Sequence, residues 1–185
     1  MTTIQGEPKG LKGWLILPAI GLFVSVLRLA INLMKDFWPI FREDYWPVLT
    51  TPGSAAYHPL WGPLLIFEIV GNSIFILANI VLIFFYFAKH YRFPALFITM
   101  LALNALFVVG DFFLGKMIPA VAAANDPQSV REIARTLAAA AIWIPYFLRS
   151  KRVMNTFVKP GSAGPLQPVA EGRQLTPALP TGFER

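Results

Sequence analysis

Long apolar runs separated by short polar segments constrain this chain more than any other feature of its sequence. The runs cover residues 13–34, 60–87 and 93–118. A helix of about 20 residues crosses the ~30 Å hydrocarbon core of a bilayer, so each run is long enough to span it. Hydrophobic residues make up 56% of the chain and charged residues 14%, against roughly 45–50% and 25% in soluble domains. The sequence therefore predicts an all-α, polytopic integral membrane protein.

A fourth run is less obvious, because its uninterrupted apolar part covers only residues 137–148 and contains four alanines. The start of the helix is well marked, however. Asp126 is a good helix cap and Pro127 suits the first helical position. A helix over residues 127–149 would be a full span, so we predict a bundle of four transmembrane helices, over residues 13–34, 60–87, 93–118 and 127–149.

Basic residues indicate how the bundle is oriented. They cluster before the first run, between the second and third runs, and after the fourth run: Lys9, Lys12, Lys89, Arg92, Arg149, Lys151, Arg152 and Lys159. With four spans, every one of these clusters lies on the cytoplasmic side, as the positive-inside rule requires. We therefore predict an N-in/C-in topology, with a cytoplasmic N-terminus (1–12), a transmembrane domain (13–158) and a disordered, proline- and glycine-rich cytoplasmic tail (159–185).

The fourth helix is expected to end at the cytoplasmic interface. Aromatic rings suited to the headgroup level are followed by cationic side chains that can reach the headgroups: Trp143, Tyr146, Arg149, Lys151 and Arg152. Pro145 lies among them and predicts a bend, which acts either as a static kink or as a hinge.

On the outer side of the membrane, the aromatic residues in the loop 35–59 predict that this loop lies on the membrane surface, as an interfacial anchor or as a binding lid.

Ionisable residues inside the predicted spans are the main candidates for function. One charge near the bilayer centre costs ~2.5–3.5 kcal/mol on insertion scales. Arg28, Glu68, Asp111 and Arg135 lie at similar depth below the outer surface, and pairing between acids and bases would make the set neutral. The candidate polar cluster, completed by two asparagines that share faces with the acids, is Arg28, Glu68, Asn72, Asn104, Asp111 and Arg135.

Two roles are compatible with such a cluster. It can hold the bundle together in a structural or partner-binding membrane subunit, or it can line a pathway for a proton, an ion or a small solute. Its neighbours are the lipid bilayer and either a membrane-protein partner or a second copy of the chain, and no small-molecule ligand is defined.

Other classes of function find no support in the sequence. Cysteine is absent, and His58 and His90 have no second ligand at metal spacing. No catalytic residues, cofactor or metal are predicted, and we expect the protein not to be an enzyme. The basic residues lie mostly at the ends of apolar runs, so nucleic-acid binding is not expected either.

Three motifs carry a family resemblance: GWLILPAIGL (13–22), HPLWGPLLIFEIVGN (58–72) and IWIPYFLRSKRVMNTF (142–157). Together they resemble the bacterial membrane family known as domain of unknown function 2569 (DUF2569). The resemblance spans about residues 11–158 and leaves out the tail. It implies a four-helix protein of the bacterial inner membrane, and it supplies no activity and no catalytic residues.

Overall fold

The computed structural model describes residues 10–124 and 126–159, and this part of the chain is entirely helical. A 3-10 turn at Gly13–Leu15 precedes seven α-helices: α1 (Ile16–Arg42), α2 (Tyr45–Thr50), α3 (Trp61–Phe87), α4 (Phe93–Lys116), α5 (Pro119–Ala123), α6 (Pro127–Arg149) and α7 (Lys151–Thr156). The predicted disordered tail, apart from Lys159, lies outside the described residues, as does most of the predicted cytoplasmic N-terminus.

Within the described residues, three helical segments are long and apolar enough to cross a bilayer: Gly13–Arg42, Trp61–Phe87 and Phe93–Lys116. This finding confirms the all-α membrane class predicted from the sequence. The remaining long helix, α6, has 23 residues. It is less apolar than the other three, because it carries charged side chains in its first half and a block of alanines in its second.

The first long helix extends further than predicted. It continues to Arg42, whereas the sequence predicted its end at Met34. Pro39 removes only one backbone donor from the helix, and the ring of Phe37 is buried, with 7% of its surface exposed. The helix then stops where Asp44 adopts a positive φ of 54°.

The segment after Met34, predicted as a loop over residues 35–59, is therefore helical in large part. It consists of the end of α1 and the short helix α2. These two helices stack through Phe41 and Trp46, whose ring centroids are 5.6 Å apart, and α2 also packs on α3. Phe41 and Trp46 therefore contact each other and Phe37 is buried, whereas Trp38 and Tyr45 are exposed.

A short turn over residues 88–92 joins α3 to α4, and the two helices pack against each other. Gly71 permits a close approach between them, because a Cβ atom there would overlap the ring of Phe107. At its other end α4 stops at Lys116, two residues before the predicted end at residue 118. Ile118 is extended (φ −91°, ψ 117°), as the residue before a proline usually is, and Pro119 begins α5.

The helix α6 covers the range predicted from the sequence. The carboxylate of Asp126 accepts hydrogen bonds from the backbone N–H groups of Gln128 (2.9 Å) and Ser129 (3.3 Å). These bonds satisfy two of the free donors at the start of the helix. After α6, the hydroxyl of Ser150 accepts a bond from the N–H of Val153 (3.4 Å) and begins α7.

The long helices form a row in which α1 packs on α3, α3 on α4 and α4 on α6. We call the end with α7 and the α3–α4 turn the closed end, and the end with α2 and α5 the open end. At the closed end Arg152 Nη1 donates to the carbonyl of Lys12 (2.6 Å), and the N–H of Gly10 donates to Thr156 Oγ1 (3.0 Å). Gly13 has a positive φ of 63°, and a Cβ atom there would lie 3.0 Å from Arg152 Nη1. Both ends of the described chain therefore meet at the closed end.

The apolar core lies at the closed end. Its centre is Phe93, which has no exposed surface. Aromatic rings surround it, and the tyrosine hydroxyl among them donates to the carbonyl of Leu15 at 2.8 Å. We call these five residues the aromatic layer: Tyr86, Phe93, Phe97, Phe147 and Phe157.

Candidate functional site

A cavity of about 260 Å³ lies between all four long helices, and we call it the central cavity. Each helix contributes polar or charged side chains to its wall. α1 provides an arginine, α3 and α4 provide asparagines, and α6 provides an acid and a base: Arg28, Asn72, Asn79, Asn104, Glu132 and Arg135. Polar side chains from separate helices thus converge on one space inside the bundle.

An ion pair crosses the central cavity between the two outermost helices of the row. The guanidinium of Arg28 on α1 donates to the carboxylate of Glu132 on α6. The side chains are 33% and 38% exposed, so the pair is only partly shielded. The pair thus joins α1, the first helix of the row, directly to α6, the last.

A second guanidinium in this wall is not paired. Arg135 follows Glu132 by three residues and lines the same cavity, so the two side chains share a face of α6. Within the described residues Arg135 has no carboxylate within ion-pair distance. Since Arg28 and Glu132 neutralise each other, the wall carries one uncompensated positive charge.

Asn79 provides the most deeply buried polar group of the cavity. Only 2% of its surface is exposed. Its Nδ2 donates to the carbonyl of Phe75 one turn earlier in α3, at 2.7 Å. Its Oδ1 is buried and has no hydrogen-bond partner among the described residues. Buried polar atoms are rarely left unpartnered in proteins, so this oxygen is an unsatisfied acceptor on a residue of the cavity wall.

A second cavity, of about 380 Å³, lies nearer the open end, and we call it the open-end cavity. Glu68 of α3 and Asp111 of α4 line it, and Asp111 Oδ1 is buried without a hydrogen-bond partner among the described residues. Lys116 also lines it and donates through Nζ to the carbonyl of Val121 at 3.3 Å. Acidic groups therefore predominate here, although no cluster of three metal-binding side chains occurs in the described part of the chain.

Asp126 lies at the rim of the open-end cavity, outside the long helices. The hydroxyl of Ser129 donates to Asp126 Oδ2 at 2.6 Å. This bond, together with that from the N–H of Gln128, lowers the pKa of the Asp126 carboxyl group, because hydrogen bonds to the ionised form favour it. Asp126 is therefore a charged group at the entrance.

The two cavities follow one another along the bundle. On α3, Glu68 lines the open-end cavity and Asn72, one turn further, lines the central cavity. From Glu68 to Asn79 the polar face extends 11 residues, or about 16 Å at 1.5 Å per residue. Beyond it, Leu82 and Tyr86 belong to the buried core at the closed end. The polar region therefore begins at the open end and stops at the aromatic layer.

The six cluster residues predicted from the sequence are divided between the two cavities. Four line the central cavity: Arg28, Asn72, Asn104 and Arg135. Glu68 and Asp111 line the open-end cavity. The expected pairing of acids with bases within this set is wrong, because Arg28 pairs with Glu132 and neither Glu68 nor Asp111 forms an ion pair within the described residues. The physical reason is position, since Arg28 reaches α6 across the bundle and Glu68 faces α4.

Glu132 was missed by the sequence reasoning, although the sequence contains a signal for it. Glu132, Arg135, Thr136 and Ala139 recur at spacings of three, four and seven, which places them on one helical face. All four line the central cavity. This pattern in a helix that also contains Arg135 could have identified the partner of Arg28.

The predicted interface residues divide into two groups. The rings of Trp143 and Tyr146 are half-buried and pack against the core at the closed end, while Arg149 and Lys151 are exposed. Arg152 is bonded to the carbonyl of Lys12. Its guanidinium therefore holds the N-terminal segment, whereas the sequence predicted that it reaches the headgroups.

Comparison with known proteins places these features in context. The family model described as protein of unknown function (DUF2569) matches residues 8–158. The inner membrane protein YdgK of Escherichia coli (strain K12) is 30% identical over 166 residues, which cover 86% of this chain and 100% of the relative. No solved structure matches the chain. The relative and the candidate spans together confirm the predicted location, the bacterial inner membrane, where these helices contact lipid.

Proposed function

The chain belongs to the DUF2569 family, and on that premise we propose that it is a four-span inner-membrane protein that admits a small polar solute to its central cavity. The proposed role is binding or passage of the solute without chemical conversion. One observation carries it: two polar cavities follow one another from the open end and stop at a closed aromatic layer. Intramembrane polar groups typically face such water-filled spaces.

The proposed fourth span is α6. Its 23 residues extend about 34 Å, enough for the hydrocarbon core. Two of its charged residues are accommodated by the bundle in part, because Glu132 pairs with Arg28 and the exposed Arg135 lines the central cavity. In addition, residues 10–12 and α7 are bonded to each other at the closed end, which is what an even number of spans requires.

The proposed orientation puts the closed end in the cytoplasm. The basic residues of the α3–α4 turn and of α7 lie at that end, and the positive-inside rule favours the cytoplasmic side for them. The open end, with its two cavity-lining acids and Asp126, would then face the periplasm. The topology is thus N-in/C-in.

Single cysteines test this topology cleanly, because the natural chain has none. We expect S54C and A122C at the open end to react with a membrane-impermeant maleimide added to spheroplasts. K89C and K151C at the closed end should react only after the membrane is permeabilised. Reaction of both A122C and K151C from outside would mean that α6 does not span the membrane.

Entry of small polar molecules is tested at the central cavity itself. Asn104 lines this cavity, whereas its neighbour Leu103 is exposed on the outer surface of α4. We expect N104C to be modified by a small anionic methanethiosulfonate reagent added from the periplasmic side. L103C is the matched control and should stay unmodified in lipid. Equal modification of the two, or none at N104C, would contradict the proposed function.

A second role is favoured by the ion pair between α1 and α6. Arg28 and Glu132 join the two ends of the helix row, as expected of a structural or partner-binding subunit in which a charged pair fixes helix register. The two roles differ in what they require of the cavity. A structural role needs only the ion pair, whereas solute entry also needs access to Asn104.

A further inference from the structure

The strongest feature that the proposed function leaves unexplained is the pair of unmatched polar groups in the central cavity. One is the guanidinium of Arg135, which has no carboxylate partner within the described residues. The other is Asn79 Oδ1, a buried oxygen without a donor. The cavity therefore offers a positive charge and a hydrogen-bond acceptor in a single space.

From these two groups we propose that the central cavity binds a small carboxylate that also carries a hydroxyl or amino hydrogen-bond donor. The inference rests on the proposed function, since the ligand must be able to enter the cavity, and it specifies the chemical class of the solute. It concerns the same site and assigns one residue to each group of the ligand, namely Arg135 to the carboxylate and Asn79 to the hydrogen-bond donor.

Arg135 recognises the carboxylate. A guanidinium presents N–H donors in a planar fork that matches the two oxygens of a carboxylate. Arg28 has the same chemistry, but its guanidinium is already engaged by Glu132. The cavity thus contains one arginine available to a ligand, and its charge favours an anion over a neutral or cationic molecule.

Asn79 recognises the donor. Its Nδ2 is bonded to the carbonyl of Phe75, which leaves Oδ1 as the side-chain atom whose hydrogen-bonding capacity a ligand at this wall would satisfy. An acceptor can be satisfied only by an N–H or O–H group, so an anion without such a group leaves this oxygen unpaired. A site that holds an unpaired buried polar group discriminates strongly against analogues that lack the matching donor.

The volume of the cavity limits the size of the ligand. At about 260 Å³ it holds roughly nine water volumes, at about 30 Å³ each. The wall between the polar groups is apolar, with Leu29, Met100, Leu101 and Val108, which suits a short carbon skeleton. Chloride would satisfy Arg135 alone, and water would satisfy Asn79 alone.

The test measures binding to the full-length chain in lipid nanodiscs by isothermal titration calorimetry. The probes are L-lactate, with both groups, propionate, with the carboxylate only, and propane-1,2-diol, with donors only. Lactate should bind at least tenfold more tightly than propionate, and the diol should not bind at all. Sodium chloride at the same ionic strength, which can satisfy Arg135 alone, should bind no more tightly than propionate.

Three variants assign the two contacts. We expect N79L to reduce lactate affinity to that of propionate and to leave propionate unchanged. R135Q should abolish the binding of both acids. R131Q is the matched control, because Arg131 and Arg135 are both exposed on α6 but Arg131, one turn earlier, is not part of the cavity wall, and it should bind lactate normally.

The outcomes separate this inference from the proposed function. If N104C is accessible but lactate and propionate bind equally, or neither binds, the inference is wrong and the cavity still admits solutes. If N104C is inaccessible, the proposed function itself fails. The ligand series on the natural chain gives this answer even if a variant does not fold.

Discussion

The closed and open ends of the bundle are built from different chemistry. At the closed end, five aromatic rings, the N-terminal segment and α7 fill the space between the helices, and Phe93 has no exposed surface. Towards the open end the same helices enclose two cavities with polar walls. Both regions are formed by the same four long helices, to which the closed end adds the N-terminal segment and α7 and the open end adds α2 and α5.

This difference suggests that stability and ligand binding depend on different ends of the bundle. Aromatic pairs add about 0.5–1.5 kcal/mol each beyond the area they bury, and Phe93 takes part in four such pairs. In the open half, the aromatic pairs Phe67–Phe107 and Phe75–Phe107 join α3 to α4, and an ion pair joins α1 to α6. We infer that the closed end holds the bundle together and that the open half is left free to take up a ligand.

The largest effect should come from removing the centre of the aromatic layer. We expect Phe93→Ala to lower the free energy of unfolding by about 2–4 kcal/mol. Most of this loss should come from packing contacts and not from the hydrophobic effect, because the helices stay in an apolar environment when the protein unfolds. Phe84→Ala is the matched control, since Phe84 is 73% exposed on α3, and it should change little. SDS-induced unfolding in mixed micelles measures both. Equal losses would mean that the closed end is not the stabilising region.

The ion pair should contribute less. We expect Arg28→Gln to cost about 1–3 kcal/mol, below the 3–5 kcal/mol typical of a fully buried pair, because both side chains are about a third exposed.

Exchange of the two charges tests how much the ion pair between Arg28 and Glu132 contributes to the stability of the open half. The double variant R28E/E132R should recover most of the stability that either single change removes. The same unfolding assay, run as a double-mutant cycle, gives the coupling energy. A coupling near zero would remove the evidence for a structural role of the pair.

A smaller effect is expected from a single hydrogen bond at the closed end. Tyr86→Phe removes the bond from the Tyr86 hydroxyl to the carbonyl of Leu15 and should cost about 0.5–1.5 kcal/mol. Tyr45→Phe is the control, because Tyr45 is exposed on α2. If Tyr86→Phe left the unfolding curve unchanged, the N-terminal segment would not be held there by this bond.

The smallest effect is a pH dependence at the rim of the open-end cavity. Hydrogen bonds from Ser129 and Gln128 lower the pKa of Asp126 in the folded protein. A lowered folded pKa stabilises the fold above the unfolded value of about 3.9, and this stability is lost as the pH falls through the folded pKa. We expect Asp126→Asn to flatten the dependence of the unfolding midpoint on pH in that acidic range. An unchanged pH profile would show that the cap makes no contribution to stability.

Local signals in the sequence predicted much of this fold. Asp126 and Pro127 gave the start of α6, because capping depends on a few neighbouring residues. The end of α1 was not predicted, since the segment after Met34 was interpreted from its aromatic and proline content, whereas packing of Phe37 and Trp46 decides its structure. Tertiary contacts of this kind cannot be read from a local pattern.

The candidate site was predicted only in part, for a related reason. The sequence analysis grouped Arg28 and Arg135 because they lie at similar depth in the predicted spans, and both line the central cavity. Depth alone does not say which face of a helix meets which neighbour. It therefore missed Glu132 as the partner of Arg28 and gave no indication that Asn79 Oδ1 would be left without a donor.

The central claim is that water enters the bundle from one end and stops at the aromatic layer. Water-edited solid-state NMR of the full-length chain in bilayers tests it most directly, because it reports polarisation transfer from water to individual side chains. The account predicts rapid transfer to the side-chain amides of Asn72, Asn104 and Asn79, and slow transfer to the rings of Phe93 and Phe97. Transfer to Asn79 as slow as that to Phe97 would contradict it.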